Sequence, residues 1–445
     1  MSTTEFEKSG AVFRQHLPDL NTPRFQVAKD QNAYEYAEAF QKTHYPPWFY
    51  TLTGVWARLL KEPYIGVTTD GAKPYSCLEA YLDGADKARI GNVIPNLFQA
   101  QDEGIPIDRI VAAVERVLGQ ITAEQKSKLQ YPLNAKEWRA WSNPEFLLRP
   151  FGLRLEELDK SVAVSILAVL EATFSPEGYQ KALGAMRING FLGDICNVPK
   201  VMNVYSYNFL LFGTPSTDGP WGFSLYGHHL CINVFLYGRQ IVISPTFTGA
   251  EPNVIDSGPF SGTEILHVEG EVGLKLMQSL PDPVKHKAQT FKLLRDPGML
   301  QTGDLTKDRW TPDDQRQVCG AFQDNRIVPE EGVVVSDFTV EQQQQILDLV
   351  EQFTVYLPHT ARKLRLEQVR KHFDKTHFSW IGSWGDDDPF YYRIQSPVII
   401  CEFDHHSGVF LSNKEPAKFH THTILRMPNA GDYGCALRKP EDQVQ

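Results

Sequence analysis

Three short histidine clusters concentrate the chemistry this sequence could do. Glu402, Asp404, His405 and His406 stand together in VIICEFDHH, His420 and His422 in FHTHTILR, and His228 and His229 in GHH. Imidazoles and carboxylates are the ligands that a divalent transition ion takes. In an extended strand, residues two apart project from one face. His420 and His422 would therefore point the same way, followed on that face by Ile424 and Arg426. In the neighbouring run, Ile400, Glu402 and Asp404 share one face, and Ile399, Cys401 and Phe403 the other. A carboxylate inside so apolar a strand is costly unless it is paired or metal-bound. Glu402 thus reads as a ligand or a catalytic base, or else as half of an ion pair with Arg393 or Arg426. Asp404 reads as its supporting partner.

The same parity argument separates the GHH pair. His229 shares its face with Cys231 and Asn233, and His228 with Leu230, Ile232 and Val234, so His229 is the first choice as ligand and His228 the second. His405 and His406, at a strand end before Ser407-Gly408, are ligands or turn residues. Arg393 and Arg426 could steady an anionic group. Tyr392, with Tyr391 and Tyr433, could donate to a polarised oxygen, although tyrosine in a strand is more often packing. Cys231 and Cys401 could ligate a soft metal, although buried, inert thiols are commoner.

The expected site is one divalent metal (zinc, iron or copper) on His420, His422 and Glu402, or on the two histidines with His229, leaving an open position. Zinc would make this a hydrolase of a small organic substrate, with Glu402 or Asp404 taking the proton from bound water. Two histidines and a carboxylate would equally suit a non-haem iron oxidoreductase, and copper is a further oxidative choice. A non-catalytic metal- or ligand-binding module is the third class. Hydrolysis comes first because the sequence carries no nicotinamide or flavin fingerprint. It also lacks GxGxxG before a helix, GxxxxGK[ST], HExxH and GxSxG.

Composition narrows the setting. The chain has 445 residues, 42% hydrophobic and 11% aromatic, which excludes a disordered protein. The formal charge of -10 and the absence of a basic run argue against nucleic acid and anionic membranes as partners. The six cysteines are scattered without a CxxC, so neither a zinc ribbon nor a disulfide framework is expected. With no apolar signal core and no long apolar run, a cytoplasmic protein is expected.

The elements that must position the clusters read as an α+β fold. Residues 1–150 form a mostly helical extension, and 151–445 a core in which helices surround a mainly antiparallel sheet. Ile110, Val111, Val114 and Val117 make a helical stripe, and residues 45–50 a packed loop entering a helix. A helix of about five turns covers 155–174. Ser175 with Pro176 starts the next, which Asn189-Gly190 should end. Strands fill 205–245, with a hairpin at 237–239. Helices return at 269–295, at the Thr339/Gln342 capping box and at 359–373. Residues 296–310 are the best internal boundary, and no internal repeat is visible.

Taken together, FGTPSTDGPWGFSLYGHHLCIN, SPTFTGAEP, PFYYRIQSPVIICEFDHH and HTHTILRMPNAGDYG resemble the family catalogued as domain of unknown function 3500, found in bacteria and fungi. The resemblance covers about residues 150–440 and is nearest the fungal-like version. It places the family's GHHL motif on Gly227 to Leu230, its YYRIQxP motif on Tyr391 to Pro397, its strand glutamate on Glu402 and its paired histidines on His420 and His422. The typical bacterial pattern lacks the His405-His406 pair. The family name implies no activity.

Overall fold

The computed structural model describes residues 12–43, 96–139, 141–143, 151–300, 309–310, 314–321 and 328–438. The loop expected at 45–50 lies outside them. The β-branched and aromatic runs become the strands β1 (Gln130–Tyr131), β2 (Leu153–Arg154), β3 (Tyr207–Phe212), β4 (Pro220–Gly227), β5 (Leu230–Tyr237), β6 (Gln240–Ala250), β7 (Gln289–Phe291), β8 (Val333–Val334), β9 (His377–Gly382), β10 (Phe390–Gln395), β11 (Ile400–His405) and β12 (Thr421–Arg426). All belong to one sheet, in the order β1-β3-β4-β5-β6-β12-β11-β10-β9-β7, with β2 added on β3 and β8 on β9. Only β1–β3 and β7–β9 are parallel among the described residues. The α+β expectation therefore holds.

The halves on either side of residues 296–310 meet inside this sheet. β6 pairs with β12, Gly249 opposite His422 and Thr246 opposite Leu425. That stretch is a connection within one sheet, with residues 301–308 outside those described. Residues before 150 join the same core. Ile110, Val114 and Val117 pack with Ile166, Val169 and Leu170, and β1 extends the sheet.

An internal repeat does exist, contrary to the sequence reading. A left-handed glycine, a two-residue strand, a 3-10 turn, two helices and a four-stranded meander occur twice. The first copy runs from Gly152 through β2, helices Lys160–Thr173 and Pro176–Ile195, and β3 to β6. The second runs from Gly332 through β8, helices Val340–Phe353 and His359–Arg370, and β9 to β12. A Cβ on Gly152 would lie 2.3 Å from the Phe209 carbonyl oxygen, and one on Gly332 2.0 Å from that of Phe378. Only glycine fits either place, with φ of +78° and +89°. From Phe209 the ladder runs to Leu225, Ile232 and Thr246, and from Phe378 to Ile394, Cys401 and Leu425. Thr246 and Leu425 are thus equivalent and pair with each other, so the copies meet about an approximate two-fold axis. Few side chains survive between them. VAVS stands in one helix where QQQQ stands in the other, which hides the repeat from a reading of pattern.

Local signals mostly hold. Ser175 and Thr339 cap their helices through the hydrogen bonds expected of them. The 155–174 helix is shorter, because Leu155–Glu157 forms the 3-10 turn. Asn189-Gly190 does not end a helix, which continues to Ile195. Gly190 instead allows the backbone to approach Val204, and Asn189 uses its side chain across the fold.

Each face of the sheet has a different cover. Phe209, Phe223, Leu225, Ile232, Tyr392, Phe403 and Leu425 face the packed helices. On the opposite face Cys231, Phe247 and Ile424 meet irregular segments carrying Phe13, Trp141, Val318 and Phe410. No helix among the described residues is long and apolar enough to cross a membrane.

Candidate metal centre

The histidine cluster lies on the irregularly covered face, where β12 starts and β6 ends. His228 and His229 are the two central residues of the β4–β5 turn, since Gly227 pairs with Leu230. His229 has φ of +61°, the left-handed conformation that usually falls to glycine or asparagine. That conformation turns its imidazole across β6 toward β12. Strand alternation aims His420 and His422 the same way, and the three rings converge. The Nε2 atoms of His420 and His422 are 3.0 Å apart, and those of His422 and His229 3.2 Å. Nitrogens at about 2.0–2.1 Å from a tetrahedral zinc would be separated by roughly 3.3 Å. These three residues form the group, among those described, whose ligand atoms lie within 4.8 Å of one another.

Neighbouring side chains fix the rings. Gly249 lies between His229 and His422, and a Cβ there would sit 2.8 and 2.9 Å from their Cδ2 atoms. Glu251 is fully buried, with Oε1 3.7 Å from Nδ1 of His420. Its carboxylate accepts the backbone N–H groups of Val409, Phe410 and Leu411. The Nδ1 atoms of all three histidines have no hydrogen-bond partner among the described residues. His228 supports the site instead of joining it: its ring stacks on His229 at 3.7 Å, and its Nδ1 meets Asn189 Oδ1 at 2.9 Å. His406 rests against the group, its ring 4.3 Å from His422 and 4.8 Å from His420. His405 points to the other face, where Nδ1 accepts the Phe390 N–H.

The remaining candidates have other work. Glu402 is not one of the three grouped residues. Its oxygens accept the backbone N–H groups of Val318 and Cys319, each at 2.8 Å, and the Tyr391 hydroxyl at 2.6 Å. Arg426 donates to the carbonyls of Cys319 and Gly320 and pairs with Asp432. Asp404 takes a two-pronged pair from Arg316, at 2.7 and 2.8 Å. Together they fasten residues 314–321 across the sheet face as a strap. Arg393 holds Glu331 and the Pro329 carbonyl. Tyr392 lies on the helix-covered face, opposite the histidine cluster, and donates to the Glu269 carbonyl.

Sequence reasoning passed over Gly249, Glu251 and the strap, and read Asn189 only as part of a helix stop. Gly249 and Glu251 lie inside the motif SPTFTGAEP, so a signal was there, but only the fold shows what a glycine at that point makes room for.

Burial dominates the electrostatics. It holds His228 and His420 down at about 3, and keeps His229, His405 and His422 well below 6.5. Neutral imidazole is the form that binds metal. Unfolding frees these groups to take protons near pH 6.5. Their contribution to stability is therefore complete above that pH and is lost as pH falls toward 3. The slope is at most about 1.4 kcal/mol per pH unit for each group. Burial also raises Glu103, lifts Glu251 to about 7 and lifts Asp404 to about 6. These carboxyls act oppositely, favouring the fold below their unfolded values and losing that effect as pH rises through the folded ones. Five imidazoles outweigh three carboxyls. The urea midpoint should thus fall as pH is lowered from about 6 to about 4. A flat or rising midpoint would show that the imidazoles are charged in the folded chain.

These features define an α+β protein with a buried three-imidazole cluster at the seam of a duplicated sheet. A family model described as a protein of unknown function (DUF3500) matches residues 103–435, and the chain belongs to that family. The match begins well before residue 150, in keeping with the packing of the helix Ile107–Gln120 into the core. No curated protein and no solved structure gives a significant match.

Proposed function

We propose that this chain is a metal-dependent enzyme that acts on a small organic substrate, with hydrolysis as the reaction class. His229, His420 and His422 would hold the ion through Nε2. The convergence of those three nitrogens at 3.0 and 3.2 Å carries the reading. Three protein ligands leave a fourth position for water or substrate, as in catalytic zinc sites. A third imidazole in place of a carboxylate favours zinc over the iron arrangement of two histidines and one carboxylate. Oxidation at copper is the second reading, because three imidazoles suit that ion too.

Bound zinc would supply Lewis acidity and a water acidified to near neutral pH. The chain's own residues set the ring orientations. Glu251 faces Nδ1 of His420, Asn189 fixes His228 against His229, and Gly249 leaves room for two rings. Glu402 and Asp404, with their oxygens engaged by the strap, are not assigned the proton-accepting role. The cytoplasm is the proposed setting, consistent with the free thiols of Cys196, Cys231, Cys319, Cys401 and Cys435.

Elemental analysis of the purified protein tests this directly. About one zinc per chain is expected, lost in the folded double variant His420→Ala/His422→Ala. Copper or iron at that level would move the assignment to oxidation. No metal in either protein after reconstitution would overturn the reading.

A further inference from the structure

A cavity of about 280 Å³ lies at the far end of the β6–β12 seam from the histidines. The two-fold relation between the halves accounts for its place. His420 and His422 open β12 beside the end of β6, whereas Gln240 and Val242 open β6 near Met427, just past β12. The cavity is thus the counterpart of the histidine cluster, built with different chemistry. Val242, Met427 and Leu437 give it apolar walls, Arg365 and Lys371 supply positive charge, and Glu103 and Glu367 supply negative charge.

Arg365 is the telling residue. It is 7% exposed, and Glu103, a buried acid lining the same cavity, attracts it through space without a direct ion pair between them. Nη1 donates to the Gln368 side chain, and Nε has no partner among the described residues. The hydrogen bonds of Glu103 go to other groups, so its attraction for Arg365 leaves the guanidinium Nε donor open. Glu103 accepts the Ile241 N–H at 3.0 Å and the Gln101 amide at 3.2 Å. A buried guanidinium with an unmet donor is costly until a partner arrives. The partner that matches its planar fork is a carboxylate or phosphate, bound through two parallel hydrogen bonds. The apolar walls favour an anion with a hydrocarbon body.

We propose that this cavity binds a small organic carboxylate, its charged end on Arg365 and its hydrocarbon end on Val242, Met427 and Leu437. The site stands independently of the metal assignment.

Titration calorimetry on the full chain tests it, with hexanoate as probe and hexan-1-ol and inorganic phosphate as controls. Hexanoate should bind saturably, and both controls at least about tenfold more weakly. Arg365→Gln should weaken hexanoate by a similar factor. Val242→Trp, which fills the cavity without touching the charge, should do the same while circular dichroism shows a folded protein. His420→Ala/His422→Ala should bind hexanoate as the wild type does. Absence of saturable binding would overturn the proposal, as would unchanged binding in both cavity variants. Tighter binding of phosphate would overturn the carboxylate assignment. Loss of binding only in the histidine variant would assign the anion to the metal centre instead.

Discussion

Glu402→Ala should destabilise the fold by roughly 3–9 kcal/mol, as each of three stranded donors costs about 1–3 kcal/mol when buried. The donors are the backbone N–H groups of Val318 and Cys319 and the hydroxyl of Tyr391. Their loss releases the strap on one side, while Arg426 still holds the carbonyls of Cys319 and Gly320. Glu402→Gln keeps the shape but presents an NH2 group to one backbone N–H, so a smaller loss of about 1–3 kcal/mol is expected. Urea unfolding at neutral pH measures both. Metal content separates the strap from a ligand role. The glutamine variant should hold as much metal as wild type. If it lost the metal and kept its stability, Glu402 would be a ligand and the strap an incidental contact.

The second large effect is expected at a residue with no side chain. Gly249→Ala would put a methyl group 2.8 Å from a carbon of His229 and 2.9 Å from one of His422. Both rings belong to paired strands or the tight turn between them, and neither backbone can retreat far. The rings must tilt, which spreads the nitrogens that now converge. Perturbing the support of metal ligands costs about 10–100-fold in affinity, and the upper end is expected here because two rings move. Overpacking should also cost about 1–3 kcal/mol of stability. Competition against a chelator gives the first number and urea unfolding the second. Wild-type metal affinity in Gly249→Ala would mean that the three imidazoles do not form the site.

The parts of this architecture that show in the sequence are those encoded by short periodicities. Alternation in HTHTILR places His420 and His422 on one face, and the same parity in IICEFD correctly groups Glu402 with Asp404. Parity across a hairpin turn is weaker. His229 reaches the cluster because its φ is positive, and strand alternation has no term for that. Parity also cannot say what covers a face. Glu402 looked like a ligand because the alternative partners, two backbone N–H groups from residues 318 and 319, belong to an irregular segment without a pattern of its own. Asn189-Gly190 shows the reverse error. A strong local stop signal was overridden by tertiary contacts, since Asn189 bonds to Asn203 and His228 and Gly190 permits close packing. The repeat is hidden for a related reason: the two copies share their order of elements, while their side chains differ, as where VAVS stands opposite QQQQ.

The seam between β6 and β12 has a consequence for how the protein is made. His229 and His422 are 193 residues apart in the chain and touch only across that seam. Neither half can assemble the three nitrogens alone. Closing so long a loop carries an entropic penalty that local contacts do not offset early in folding. An ion bound there would act as a clasp, stabilising only the state in which both meanders have docked. Metal uptake would then mark completion of the sheet, and a chelator present during refolding should slow or prevent the docking of the halves without altering how each one forms.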